Sequence, residues 1–404
     1  MQKEFEHQWQ IISRGAVELL PEGEFAERLK ESIKKSKPLR VKQGFDPTAP
    51  DIHLGHTVGI RKLRQFQDLG HKIVLIVGDY TALVGDPSGR SATRPQLSYD
   101  QIMTNAETYQ KQFFKILDKS KTEVHFNGEW FAKMSFQEVL QLAARFTVAR
   151  ILERDDFDKR FKAGNPISIH ELIYPLMQAY DSVAITADVE IGATEQKFNL
   201  LTGREIQQDY NVRPQVVLTL PILVGVDGHQ RMSKSIGNYI GIDEPPGEIF
   251  GKVMSIPDSL IYSYYELATD ISSKQLAGIK AKLDDASVNP MEIKKELAGE
   301  LVRMYYDGDV AERAQKEFTR VFSDGKMPDE MPEFDCKAYG EQVWIVQLLT
   351  DSRLVASRGE ARRLIRGGGV TIDGEKYADE NGTVRLKNGM LVKVGKRRFL
   401  KLVC

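Results

Sequence analysis

Hydrophobic and polar positions change period along this chain, and the order of the periods reads as an α/β fold. Residues 39–45 read as a short strand, followed by the turn chemistry of Asp46-Pro47-Thr48-Ala49-Pro50-Asp51. Over residues 52–69 the apolar positions recur at helical spacing until Gly70 stops them. The next stretch, 72–78, holds the unbroken run Ile73-Val74-Leu75-Ile76-Val77, the pattern of a strand covered on both faces of a parallel sheet. Strand, helix and strand in this order make a βαβ unit. Ser98 with Gln101 and Ser135 with Glu138 are spaced as capping boxes that open helices. Residues 183–191 and 215–224 read as further strands, and the charge-dense stretch 152–162 as part of an inserted helical subdomain.

Beyond Asp243 the strand pattern stops. Pro245-Pro246 marks a break, residues up to about 323 read as helical, and 324–334, with prolines and acids, reads as a linker. In the tail, Ser357 and Glu360 form a capping box on a basic helix that Gly367-Gly368-Gly369 ends. Short strands follow, with Asp373-Gly374 and Asn388-Gly389 as hairpin signals.

Composition narrows the class. The chain has 404 residues, 41% hydrophobic and 28% charged, which excludes a disordered polymer and suggests two or three domains. Cys336 and Cys404 are too few for a disulfide framework, so a reducing, cytoplasmic setting is expected. The start, Met1-Gln2-Lys3-Glu4-Phe5-Glu6, does not read as a signal peptide, and no apolar run is long enough to span a bilayer. The net charge of −1 conceals an asymmetry. Residues 342–404 carry 13 Lys and Arg against 6 Asp and Glu, a net +7, whereas residues 1–341 carry 43 against 51, a net −8. A basic module on an acidic body suits a polyanion partner, although a basic surface also serves solubility.

Two short motifs carry candidate chemistry. His53-Leu54-Gly55-His56 opens the first helix of the βαβ unit, where backbone N–H groups favour phosphate. Gly55 removes a side chain, so a flat ring can approach the helix. Two histidines at i, i+3 can equally make only local hydrogen bonds. No Glu lies between them as in a zinc-protease helix, and no metal site is expected. Met232-Ser233-Lys234-Ser235 lies in a polar loop flanked by Gly225, Gly228 and Gly237. Such a loop can be plain solvated surface, or a mobile one whose lysine meets charge developing on a departing pyrophosphate.

In this order, the two motifs resemble the signature sequences of class I aminoacyl-tRNA synthetases. Gly44-Phe45-Asp46-Pro47-Thr48-Ala49, Gly85-Asp86-Pro87-Ser88-Gly89 and Tyr174-Pro175-Leu176-Met177-Gln178-Ala179-Tyr180-Asp181 narrow the resemblance to bacterial tyrosyl-tRNA synthetases. The tail from Gln342 is similar to an S4-type RNA-binding domain. The resemblance implies an α/β, Rossmann-like parallel-sheet catalytic domain over 1–243 with a helical insertion at about 113–180. A helical anticodon-side domain with an acidic linker would follow over 244–335, then a small α+β S4-like domain over 342–404.

It also implies a tyrosine–tRNA ligase that joins L-tyrosine to ATP and then passes the tyrosyl group to tRNA(Tyr). Mg2+ would accompany ATP, no permanent cofactor is expected, and the enzyme would be a homodimer. By the match, Thr48, His53, His56, Arg231 and Lys234 would be catalytic. Gly44, Asp46, His53, Gly55, His56, Glu195 and Lys234 would bind ATP, and Asp86, Tyr174, Gln178, Asp181 and Gln196 would bind tyrosine. Within that set, Asp86, Tyr174 and Gln178 would hold the ammonium group and Asp181 the phenol. Their spacing on one helix face also fits a half-buried amphipathic helix. Arg358, Arg362, Arg363 and Arg366 would meet RNA.

Three positions depart from the family pattern. Lys42 stands where a tyrosine usually helps hold the substrate hydroxyl, Glu195 replaces an aspartate at the ribose, and Arg231 replaces the first loop lysine. The other readings are a tryptophan-type synthetase, or a non-catalytic RNA-binding protein on a synthetase scaffold.

Overall fold

The structure, a computed structural model, describes residues 1–48, 51–88, 97–234, 236–322, 331–395 and 398–404. Ala49, Gly89, Ser235 and most of the expected linker lie outside the described residues. The chain forms two compact units, Met1–Ala311 and Glu312–Cys404.

In the first unit, six strands form one sheet: β1 (Glu18–Leu20), β2 (Arg40–Phe45), β3 (Lys72–Val77), β4 (Thr122–Phe126), β5 (Val189–Ala193) and β6 (Val216–Leu220). Their order is β1-β6-β5-β2-β3-β4, parallel throughout except that β1 runs antiparallel to β6. Five of the six side chains of β3 and all five of β6 are buried, which explains their unbroken apolar sequence. The chain proceeds outward from β2 through β3 to β4, then returns to the other side of β2 with β5. The carboxyl ends of β2 and β5 therefore flank a topological switch point, where a crevice opens in such sheets.

The helix Leu54–Asp68 follows β2, with Ile60, Leu63 and Phe66 buried against the sheet. Both expected capping boxes are present, Ser98 on Tyr99–Phe113 and Ser135 on Phe136–Ala143. The stretch 183–191 needs correction: Val183 and Ala184 close the helix Ile169–Ala184, and the strand begins at Val189. Pro246 is no break but the first residue of the helix Pro246–Met254, where its missing N–H costs nothing. Helices continue through Ile261–Ala268, Ser273–Asp284, Pro290–Tyr305 and Gly308–Phe322.

The second unit combines short helices with small sheets. Strands Val370–Ile372 and Glu375–Lys376 form the hairpin expected at Asp373-Gly374. Asn388-Gly389 makes no hairpin, because Thr383–Arg385 pairs with Gln342–Trp344, whereas Leu391–Val394 pairs with Val370–Ile372 and Arg398–Val403. Phe334, expected in the linker, lies in a strand, Glu333–Asp335, parallel to Arg398–Val403. Cys336 and Cys404 are joined in a disulfide. Two cysteines exclude a framework of several bridges, yet one bridge forms, so the cysteine count does not fix the compartment.

Candidate active site

A cavity of about 660 Å³ opens at the switch point. Its walls come from the ends of β2, β3, β5 and β6, from the helices Leu54–Asp68 and Ile169–Ala184 among others, and from the loops between them. They include every residue expected to meet ATP or tyrosine, from Gly44, Asp46 and Thr48 to Arg231 and Lys234.

His53 is the N-cap of the helix Leu54–Asp68, one step outside it, and not a helical residue sharing a face with His56. The two rings stack with centroids 3.8 Å apart. His53 Nδ1 accepts from the Gly55 N–H at 3.2 Å, and His56 Nδ1 accepts from the His53 N–H at 3.3 Å. A ring that accepts at Nδ1 carries its proton on Nε2, so both histidines offer Nε2–H as a donor. Burial, then the neighbouring His56 and Lys234, pushes the His53 pKa down to about 2. Burial and Lys234 push that of His56 to about 4. Both rings are neutral near pH 7. A Cβ on Gly55 would lie 3.0 Å from the His53 ring, so glycine permits the ring stack as well as the approach of a ligand.

Backbone bonds draw the second motif to the first. Leu54 N–H donates to Ile240 at 2.9 Å, and Ile242 N–H donates to Ile52 at 3.1 Å. Lys234 Nζ lies 3.3 Å from Asp51 Oδ2, and Arg231 donates to Glu195 at 2.9 Å. Burial lowers the Lys234 pKa while Asp51 raises it. The flanking glycines serve geometry: Gly228 and Gly237 adopt φ of 84° and 79°. A Cβ on Gly225 would collide with Asn238, whose side chain ties Asp227, Arg231 and Ser233 together.

Deeper in the cavity, acceptors cluster. Asp86 takes Ser88 N–H and Oγ–H at 2.8 and 2.6 Å on one oxygen and Gln196 Nε2 at 2.7 Å on the other. Tyr174 donates to Asp46 at 2.9 Å, and Thr81 donates to the other oxygen of Asp46 at 2.7 Å. Asp46, expected at ATP, is thus also held between Tyr174 and Thr81. Gln178 donates to Glu190 at 3.1 Å and accepts from Asn199 at 3.0 Å. Asp181 accepts from Trp130 Nε1 at 3.0 Å and Asn127 Nδ2 at 3.4 Å. Burial lifts its pKa to about 7, against the pull of Lys42 and these donors.

Sequence reasoning missed Asn127, Trp130, Arg154 and Asn199. Arg154, from the insertion, is 4% exposed, reaches Ser88 and Asn199, and stands 3.5 Å from Asp86. None belongs to a motif, and a buried arginine is invisible in sequence. Lys42, expected near a phenol, does not line the cavity. Its ammonium meets the Gln178 carbonyl at 2.9 Å, Ser182 Oγ at 2.7 Å and Glu190 at 3.0 Å.

In the second unit, Arg358, Arg362, Arg363 and Arg366 are all exposed on the helix Arg358–Arg366. Arg358 and Arg362 lie 5.9 and 5.5 Å from the Trp344 ring centroid, and Arg366 is paired through two bonds with Glu380. Trp344 was also unmarked in sequence. The box at Ser357 is half formed: Ser357 caps Glu360 N–H, but the Glu360 carboxylate turns to Ala356 N–H and Arg398.

The fold is that of a class I tRNA synthetase. Residues 34–323 match the family model of class I tRNA synthetases for tryptophan and tyrosine, and residues 324–401 match a tyrosine–tRNA ligase C-terminal domain. The tyrosine–tRNA ligase of Moorella thermoacetica is 51% identical over 402 residues, covering 100% of this chain and 97% of that one. That of Geobacter sulfurreducens is 52% identical over 395 residues, 98% of each chain. A solved tyrosyl-tRNA synthetase from Archaeoglobus fulgidus, complexed with L-tyrosine, shares the fold with a TM-score of 0.62 at 24% identity, over 77% of this chain and 99% of that one. The chain belongs to the tyrosyl-tRNA synthetase family, the tyrosine–tRNA ligases.

Proposed function

We propose that this chain activates L-tyrosine with ATP, releases pyrophosphate, and transfers the tyrosyl group to the 3′ end of tRNA(Tyr), with the residues above in the following roles. The observation that carries the assignment is the pairing, in one cavity, of neutral Nε2–H donors and a lysine with a buried carboxylate. His53 and His56 donate to phosphate oxygens and the nucleotide ribose. Thr48 and Arg231 add donors, and Lys234 leaves Asp51 for the pyrophosphate as its charge develops. Glu195 reaches the ribose, while Gly44 and Gly55 leave room for the nucleotide.

For tyrosine, Asp86 supplies a carboxylate to the ammonium group. Tyr174 gives its proton to Asp46, so its oxygen can accept from that ammonium, and the Gln178 side-chain oxygen, which already accepts from Asn199, has a second lone pair for it. Gln196 stands beside Asp86 for the reacting carboxylate, and Asp181 accepts the phenol proton. Magnesium is assigned to the nucleotide, whose phosphates supply the hard oxygen ligands it prefers.

The insertion carries exposed Phe136, Leu140, Val148, Phe161 and Ile169, an apolar surface suited to a homodimer interface. We assign the unit from Glu312 onward to tRNA, and its arginine helix to phosphate. Among the described residues no helix is long and apolar enough to cross a membrane, and a cytoplasmic place suits a translation enzyme. Amino-acid-dependent exchange of pyrophosphate into ATP, run with tyrosine, tryptophan and phenylalanine, tests the reading. Exchange with tyrosine alone is expected. Exchange with tryptophan, or none at all, sinks it.

A further inference from the structure

Lys42 and Glu190 are register partners on the parallel strands β2 and β5, at the switch point itself. Their side chains are 0% and 1% exposed and form an ion pair at 3.0 Å. Burying two opposite charges gains little stability over apolar packing, so such a pair calls for another explanation. The pair grips one turn of the helix Ile169–Ala184. Lys42 Nζ holds the Gln178 carbonyl and Ser182 Oγ, and Glu190 accepts from the Gln178 amide at 3.1 Å and from Ser182 at 3.0 Å. Asp181 lies on the same turn.

We propose that the Lys42–Glu190 pair is a positioning unit for amino-acid recognition: it locks the helix turn that carries both contacts, Glu190 holding the Gln178 amide for the substrate ammonium and Lys42 holding the Gln178 backbone carbonyl and Ser182 on either side of Asp181, the phenol acceptor. This rests on Gln178 and Asp181 being the tyrosine contacts assigned above. The Gln178 NH2 donates to Glu190 and its oxygen accepts from Asn199, so these two partners fix the amide and leave one lone pair of that oxygen for the ammonium. The charged groups around Asp181 are Lys42 from β2 and Glu190 from β5, with Asp46 after β2 and Asp79 after β3 linked through Thr81, Asn127 and Gly128. Trp130 and Asn127 are neutral donors. Lys42 pulls the Asp181 pKa down from the value that burial sets, leaving it at about 7, while Glu190 pushes it up.

The test measures kcat/KM for tyrosine against pH in the intact enzyme. In the wild type it should rise through an acid limb near the Asp181 pKa. Glu190→Gln leaves Lys42 acting on Asp181 alone, so the limb should move down by about one pH unit or more. KM for tyrosine should rise about threefold or more as the Gln178 amide exchanges a charged acceptor for a neutral one, with KM for ATP within about twofold. The double variant Lys42→Met/Glu190→Gln leaves no unpaired buried charge, which favours folding. Its limb should lie at higher pH than that of the single variant. Asp181→Ala should abolish the limb and the preference for tyrosine over phenylalanine. If Asp181→Ala keeps that preference, the phenol assignment and this inference both fall. If Asp181→Ala loses it while both Glu190 variants keep the wild-type limb and KM, the positioning role alone is overturned.

Discussion

His53 and His56 each commit Nδ1 to a backbone N–H at the start of the same helix, and their rings stack 3.8 Å apart. Helix capping and donor supply are therefore one arrangement. Asparagine is a good N-cap but lacks the Nε2 donor, so it separates the two. His53→Asn should melt within a few degrees of wild type yet adenylate about 10²-fold more slowly. Loss of fold in parallel with loss of rate would assign His53 to capping alone.

Lys234 pairs with Asp51 at 3.3 Å, lies 5.9 Å from the Tyr239 ring centroid and is partly exposed. An interaction that matures in the transition state should affect rate more than ground-state binding. Lys234→Ala should cut single-turnover adenylation about 10²-fold while tyrosine affinity changes less than about twofold. Near-normal adenylation in this variant contradicts the clamp.

Asp181 also marks stability against pH. Its pKa is raised from an ordinary 3.8 to about 7, so between these values the folded state binds the extra proton. Stability contributed by this group is therefore present at pH 4 and lost as pH rises toward 7. Relative to wild type, Asp181→Asn should gain up to about 4 kcal/mol over that window. Denaturant titrations at several pH values check this, and a constant difference between the two proteins would refute it.

Because the strand Glu333–Asp335 pairs with Arg398–Val403, a cut that removes the tail without leaving this strand unpaired must precede Glu333. A chain ending at residue 330 should keep tyrosine-dependent pyrophosphate exchange within about twofold and lose tRNA affinity. The salt dependence of tRNA binding should flatten as phosphate contacts go. Equal affinity across a salt series would remove the RNA role from this unit.

The Cys336–Cys404 bridge closes a loop of 68 residues that takes in most of the second unit. Removing it should destabilise that unit by about 4 kcal/mol in the loop-entropy model, without touching exchange. Comparing Cys336→Ser/Cys404→Ser with wild type by calorimetry reads this directly, and identical melting profiles would argue that the bridge adds no stability.

Much of this fold was legible in the sequence. The run Ile73 to Val77 could only suit a doubly covered strand, and Ser98 and Ser135 announced their helices. The candidate site residues, scattered from Gly44 to Lys234, converge on one cavity. What failed has physical causes. Val183 and Ala184 are apolar at a helix end that runs into a strand, so no period marks the change. Asn388-Gly389 encodes a turn but not which strand the chain pairs with next. Lys42 is ordinarily a surface residue, and its partner Glu190 lies far along the chain, so only the register of β2 with β5 reveals the pair.

The short antiparallel strand β1 has a consequence for how this protein behaves in solution. β6, Val-Val-Leu-Thr-Leu, is fully buried and would otherwise present an apolar open edge, the template on which copies add strand to strand. Three residues, Glu18–Leu20, occupy that edge in the opposite direction. The other edge, β4, is half-buried and carries Glu123, paired with Arg40 at 2.7 Å and Lys72 at 2.6 Å. Charge at one border and a short blocking strand at the other guard against stacking into fibres, so deleting residues 1–20 should cost solubility before it costs catalysis.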